Sequence, residues 1–92
     1  MEHYMVVRFK DGVDAAELYQ ETASLFREAE KIEGVSRADV FISSHRLKKR
    51  YDMMIRIRMK KTALSSFEGS EVMTKWKREY GEKIENVTVF NS

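Results

Sequence analysis

The sequence contains no cysteine and no proline, and only four glycines among its 92 residues. Without cysteine there is no disulfide framework, no thiolate nucleophile, and no zinc or iron–sulfur site that needs Cys ligands. The missing proline and scarce glycine leave little from which to build a linker or a collagen-like or low-complexity segment. Long apolar runs are absent too. The first apolar stretch, Met5 to Val7, is interrupted by Arg8 and Lys10, and nothing approaches the roughly 18 residues of a membrane span. The chain is therefore expected to be cytoplasmic, with no membrane partner. Asn86-Val87-Thr88 fits a glycosylation triplet, but without a secretory route it carries no weight.

What the sequence does contain points to a folded core. Hydrophobic residues make up 42%, including five Phe, four Tyr and one Trp, which argues against disorder. At this length the expectation is a single domain, residues 1–92, whose own core is thin. The formal charge of +2 is unevenly placed, since Ser44 to Arg50 holds four basic residues and no acid. Without that segment, 13 basic residues face 15 acidic ones. His45 lies inside the run and reads as a solvated residue, not a metal ligand. The run itself reads as a hairpin connection, with anion or RNA contact as its alternative. RNA recognition also needs a stacking platform, and Met53 and Ile55 do not supply one, so no nucleic-acid partner is expected.

Periodicity gives the elements. His3, Met5, Val7 and Phe9 alternate with Tyr4, Val6, Arg8 and Lys10, the pattern of a strand with one apolar face. Asp14, three residues before Glu17, predicts a helix start, with Val13 and Leu18 placed for a hydrophobic staple. Its buried stripe is Leu18, Thr22, Leu25, Phe26, Ala29 and Ile32, and Gly34 is its stop. Val35 to Ser44 reads as a second strand, with Ala38, Val40 and Ile42 opposite Arg37, Asp39 and Phe41. Tyr51, Met53, Ile55, Ile57 and Met59 define a third. Thr62 is expected to cap a short helix through Phe67, Gly69-Ser70 to break and recap it, and Met73, Trp76 and Tyr80 to form the next apolar face before Gly81. Asn86 to Asn91 supplies the last strand.

This order matches an α+β, ferredoxin-like βαββαβ protomer with both helices on one face of an antiparallel sheet. The opposite face is left without cover. It should carry Tyr4, Val6, Arg8, Phe41, Met54, Arg56 and Arg58, a surface apolar enough to suit a partner. The three arginines would repel unless Asp39, Asp52 or a partner's acids meet them, which predicts ion pairs between protomers.

Several segments coincide with one family. The stretch His3 to Val13, the helix ending Ile32-Glu33-Gly34-Val35, Tyr51-Asp52 before a long strand and the terminal Val89-Phe90-Asn91 resemble the stress-responsive dimeric α/β-barrel domain. The resemblance implies a homodimer whose sheets pack face to face. It also implies kinship with stress-associated proteins and with cofactor-independent polyketide cyclases. The cyclases' pocket-lining histidine on strand one is matched by His3, and its neighbours by Met5 and Val7. Their second-helix His-Pro-x-His pattern is replaced by Ser70-Glu71-Val72-Met73, which puts Met73 at the acid/base position. A tyrosine one turn earlier becomes Phe67, and a strand-three histidine becomes Met53.

The residues leave alternatives open. His3 is either a packed, hydrogen-bonded strand-end residue or a ligand-facing base, since imidazole suits both at neutral pH. Trp76, Tyr80, Phe26 and Met73 are either core or the wall of a pocket. The expected function is a stress-associated or small hydrophobic-ligand-binding homodimer without a strong catalytic signature. Its alternative is a cyclase-like or lyase enzyme. There His3 would move a proton, Tyr51 would orient a carbonyl, and Met5, Val7, Phe26, Met53, Phe67, Met73 and Trp76 would shape the substrate. No cofactor and no metal are implied.

Overall fold

The computed structural model describes residues 1–43 and 51–92. The basic run 44–50, and His45 with it, lies outside the described residues. Four strands, β1 (Glu2–Phe9), β2 (Val35–Ile42), β3 (Met53–Met59) and β4 (Ile84–Asn91), and three helices, α1 (Ala15–Arg27), α2 (Leu64–Glu68) and α3 (Glu71–Tyr80), follow the order β1-α1-β2-β3-α2-α3-β4. The sheet is ordered β2-β3-β1-β4 and every neighbouring pair is antiparallel. This is the α+β ferredoxin-like βαββαβ protomer.

Alternation decides the faces. On β1, His3, Met5, Val7 and Phe9 are buried, and on β3 so are Met53, Ile55, Ile57 and Met59, all beneath the helices. Phe26 of α1 meets Trp76 of α3 edge to face at 5.3 Å, and Trp76 stacks on Tyr80 at 4.4 Å. The buried Thr22 and Tyr80 hydroxyls bond each other at 3.0 Å, joining α1 to α3. That bond satisfies two polar groups the core would otherwise strand.

Local chemistry sets the ends. Asp14 caps α1 by accepting from the Ala16 N–H at 2.9 Å. The helix closes at Arg27, and a 3-10 turn over Glu28–Lys31 carries Ala29 and leads towards Gly34 at φ +91°. Ser70 caps α3 as expected, accepting from the Met73 N–H. Thr62 does not act as a cap: it sits inside a 3-10 turn, Lys61–Ala63, which runs straight into α2 from Ala63 without a side-chain cap. On β2 only Val35 and Val40 are buried, while Ile42 at the strand's end is exposed like Phe41. The strand ends before helical cover reaches it.

Asp52 has a structural task the sequence did not advertise. β3 begins at Met53, opposite Val7, so on that side of β1 the Phe9 N–H has run past the ladder, and the buried Asp52 carboxylate accepts it at 2.7 Å. The end of the ladder leaves that donor without a strand carbonyl, and the carboxylate takes its place.

Gly12 and Gly34 both have positive φ, but only at Gly34 would a Cβ meet an obstacle, the Ala63 Cβ at 2.9 Å. Gly12→Ala should therefore cost about 1 kcal/mol of conformational strain, and Gly34→Ala about 2 to 4 kcal/mol because overpacking adds to it. Urea unfolding of the two variants measures the difference; equal losses would mean that Ala63 moves aside freely.

Candidate functional site

A cleft of about 360 Å³ opens between α3 and the β1–β4 half of the sheet. Met73 and Trp76 form its helical wall, Met5, Val87 and Val89 its floor, and Ile84 and Gly81 one end. Val89 is 52% exposed although it points to the helix side, because it lies on an edge strand that α3 does not overhang. The cleft is thus core left uncovered. Glu68 and Lys77 also line it and bring one charge of each sign.

His3 is its polar feature. The side chain is 3% exposed, its Nδ1 lies 2.7 Å from Asn91 Oδ1, and its ring meets Phe67 edge-on at 5.4 Å. The β1–β4 register makes His3 and Asn91 direct partners. An amide oxygen only accepts, so Nδ1 is the donor in this bond, and in the neutral ring Nε2 is the acceptor. Chemically this is an imidazole held in one orientation in an apolar setting.

The other expected site residues separate into groups. His3, Met5, Met73 and Trp76 come together at the cleft. Val7, Phe26, Met53 and Phe67 are completely buried core and do not line it. Tyr51 is not brought to His3. The register pairs His3 with Ile57 and Val7 with Met53, so Tyr51 lies past the far end of that ladder, more than roughly 13 Å along the strand. The pairing of His3 as base with Tyr51 as carbonyl donor is therefore corrected: one site does not hold both. Sequence reasoning missed Asn91, Ile84, Val87 and Val89. Its periodicity marks the terminal strand as the last of the sheet, but the register against β1 that brings these residues to His3 is not visible in the sequence.

The open sheet face is built from the expected residues, with Phe90 added. Tyr4 and Phe90 are cross-strand partners whose rings stack at 4.8 Å, and Arg56 lies 5.0 Å over the Phe41 ring. Phe90 is 48% exposed and Phe41 39%. Ion pairs expected between protomers are formed within the chain. Arg56 meets Asp39 at 3.0 Å and Arg58 meets Glu2 at 2.8 Å, because the register sets each pair directly opposite on adjacent strands. Bonds from Tyr4 and Arg58 hold the Glu2 carboxyl below its ordinary value. Burial pushes the Asp39 carboxyl up, but the bonds from Arg56 and Arg37 outweigh it and leave it low. Among the described residues, no group of three or more His, Asp or Glu gathers to hold a metal, and no helix is long and apolar enough to cross a membrane.

No family model matches the chain, and neither does any curated protein. Solved structures do. A dimeric ferredoxin-like protein of unknown function from Thermobifida fusca superposes with a TM-score of 0.77 at 8% identity, covering 97% of this chain and 85% of the other. PA3566 from Pseudomonas aeruginosa gives 0.76 at 16% identity, covering 97% and 87%. A DABB family protein with a ferredoxin-like fold from Mesorhizobium loti gives 0.69 at 13% identity, covering 97% and 90%. The likeness extends over nearly the whole length and shows a ferredoxin-like fold.

Two predictions follow from this geometry. Replacing Asn91 by Ala should convert the neutral His3 ring from the Nδ1–H form to a tautomer mixture, read from its ring nitrogen shifts; a retained single form would mean that another group holds it. The depressed Glu2 and Asp39 pKa values add stability that is complete above the ordinary carboxylate range near pH ~4 and is lost as pH falls through the folded values. Glu2→Gln should flatten part of that acid limb in urea unfolding at successive pH values. An unchanged slope would remove Glu2 from it.

Proposed function

We propose that this chain is a homodimeric binding protein for a small, largely apolar, oxygen-bearing molecule, held in the cleft with its polar group against His3. The observation that carries this reading is the combination of a half-exposed apolar floor at Val89 with a buried, singly oriented imidazole at Met5's side. Apolar walls with one well-placed polar group are the usual makeup of a small-molecule site. A base alone is a weak catalyst. The groups that would assist it are replaced by Met73 and Phe67 or lie remote at Tyr51, which favours binding over turnover. The fixed tautomer supports the second reading, a cyclase-like or lyase step begun by His3.

The homodimer half of the proposal rests on the open sheet face. Tyr4, Val6, Phe41, Met54 and Phe90 form an apolar surface that the chain's own helices cannot reach, and a second copy would cover it. The Thermobifida protein of the same fold is described as dimeric.

Binding of a medium-chain alkylphenol, followed through the single tryptophan, Trp76, tests the cleft. Val89→Phe fills the floor at a position exposed enough to tolerate it and should weaken binding at least tenfold; unchanged affinity places the ligand elsewhere. Sedimentation equilibrium tests the dimer. Phe90→Glu should shift it to monomer, and a wild-type chain that sediments as a monomer throughout would overturn that half of the proposal.

A further inference from the structure

The two edges of the sheet are not alike. At one edge β2 is guarded: its register slips between Val35 and Arg37, it carries the ion pair of Arg37 with Asp39, and its Ala38 N–H donates to the Glu30 carboxylate at 2.9 Å. Bulges, charges and covered donors are the usual means by which an edge strand is kept from pairing with another chain. At the other edge β4 has none of them from Asn86 onward. Asn86 to Asn91 stays in register with β1, holds no charged side chain and no proline, and includes Val87, Val89 and Phe90.

The backbone groups on that edge follow from the ladder. Glu2 and Ser92 exchange both backbone bonds at 2.9 Å, so in the antiparallel alternation Tyr4 with Phe90 and Val6 with Thr88 do the same. The N–H and C=O groups of Val87, Val89 and Asn91 therefore point away from β1, and no backbone partner meets them among the described residues. The side chain of Val89 is on the helical side and is 52% exposed.

A second copy of this chain fits the edge. Turned about a two-fold axis normal to the sheet and centred between the two Thr88 residues, it sets Val87 of each copy opposite Val89 of the other, and each such pair exchanges both bonds. The helices of both copies stay on one side, so the valines of the two cleft floors meet across the axis and cover one another. Glu85, the one charged residue of β4, goes to opposite ends of the new ladder in the two copies, so no like charges meet.

We infer that β4 is a self-association site at which two copies join edge to edge, through Val87 and Val89, into one continuous antiparallel sheet, each copy adding floor to its neighbour's cleft. The pairing uses a different surface from the open-face dimer and does not rest on it.

Amide hydrogen exchange of the full chain, followed by residue against protein concentration and alongside sedimentation equilibrium, tests the pairing. The Val87 and Val89 amides should exchange about tenfold more slowly where the chain is assembled than where it is dilute, while the inward Thr88 and Phe90 amides stay protected throughout. Val89→Lys places like charges beside the axis on the helical side, clear of the open face, and should restore fast exchange at Val87. Val89→Pro deletes one outward donor, adds no charge and should do the same. Phe90→Glu would charge both surfaces at once, so the Val89 variants are the ones that separate them. An assembly whose Val87 and Val89 amides exchange freely is the open-face dimer alone, which overturns the edge pairing and leaves that dimer standing. Protection at Val87 that survives in either variant, or on dilution to monomer, overturns it too, because something other than this ladder then covers the edge. A wild-type chain monomeric at every concentration overturns both modes of assembly.

Discussion

A four-stranded sheet has two faces, and this chain has helices for only one of them. Both crossovers, through α1 and through α2 with α3, return on the same side, so His3, Met5, Val7 and Phe9 are buried while Tyr4, Val6 and Arg8 on the same strand are not. The rest of the structure adapts to that asymmetry. The open side carries aromatic rings stacked across strands and arginines held flat by carboxylates, arrangements that keep long side chains ordered on a surface with nothing above it. A shape set in advance loses less entropy when a partner arrives.

On the helical side the same shortage takes another form. Two helices of 13 and 10 residues cover β3 and β1 but not the edge strand, so Val87 and Val89 floor a cleft instead of a core. His3 sits where covered sheet meets uncovered sheet. Its burial demands a partner for each polar atom, and Asn91 on the neighbouring strand supplies one. The packed, hydrogen-bonded residue and the ligand-facing residue are therefore one residue. The bond that satisfies the imidazole in the core also fixes which nitrogen remains available to a ligand.

The fold was legible in the sequence because it depends on local pattern. Period-two alternation named the faces of β1 and β3, and Asp14 and Ser70 announced the helix starts. The failures occur where tertiary register decides. Thr62 had the chemistry of a cap, but the chain enters α2 through a 3-10 turn that needs none. For Arg56 and Arg58 the sequence offers Asp39, Asp52 or a partner's acids alike, since nothing in it shows that Asp39 and Glu2 lie directly across the ladder from them. The alternation that puts His3 on the helical face extends in the sequence through Tyr51, yet β3 begins only at Met53, and antiparallel pairing leaves Tyr51 beyond the end of the ladder remote from His3. Asn91 was invisible for the same reason, being 88 residues away in sequence and 2.7 Å away in space.

Register also ties the two faces together. Along β1 and β4 the pair His3 and Asn91 is followed by the pair Tyr4 and Phe90, the first directed into the cleft and the second onto the open face. Successive rungs of one ladder share a backbone, and β4 is an edge strand, with no neighbour on its far side among the described residues to hold it in place. The ligand and the partner proposed above would therefore load adjacent residues, Val89 and Phe90, of the same strand from opposite sides. Each would oppose the displacement the other causes, so the terminal strand is where the proposed binding and the proposed assembly would meet.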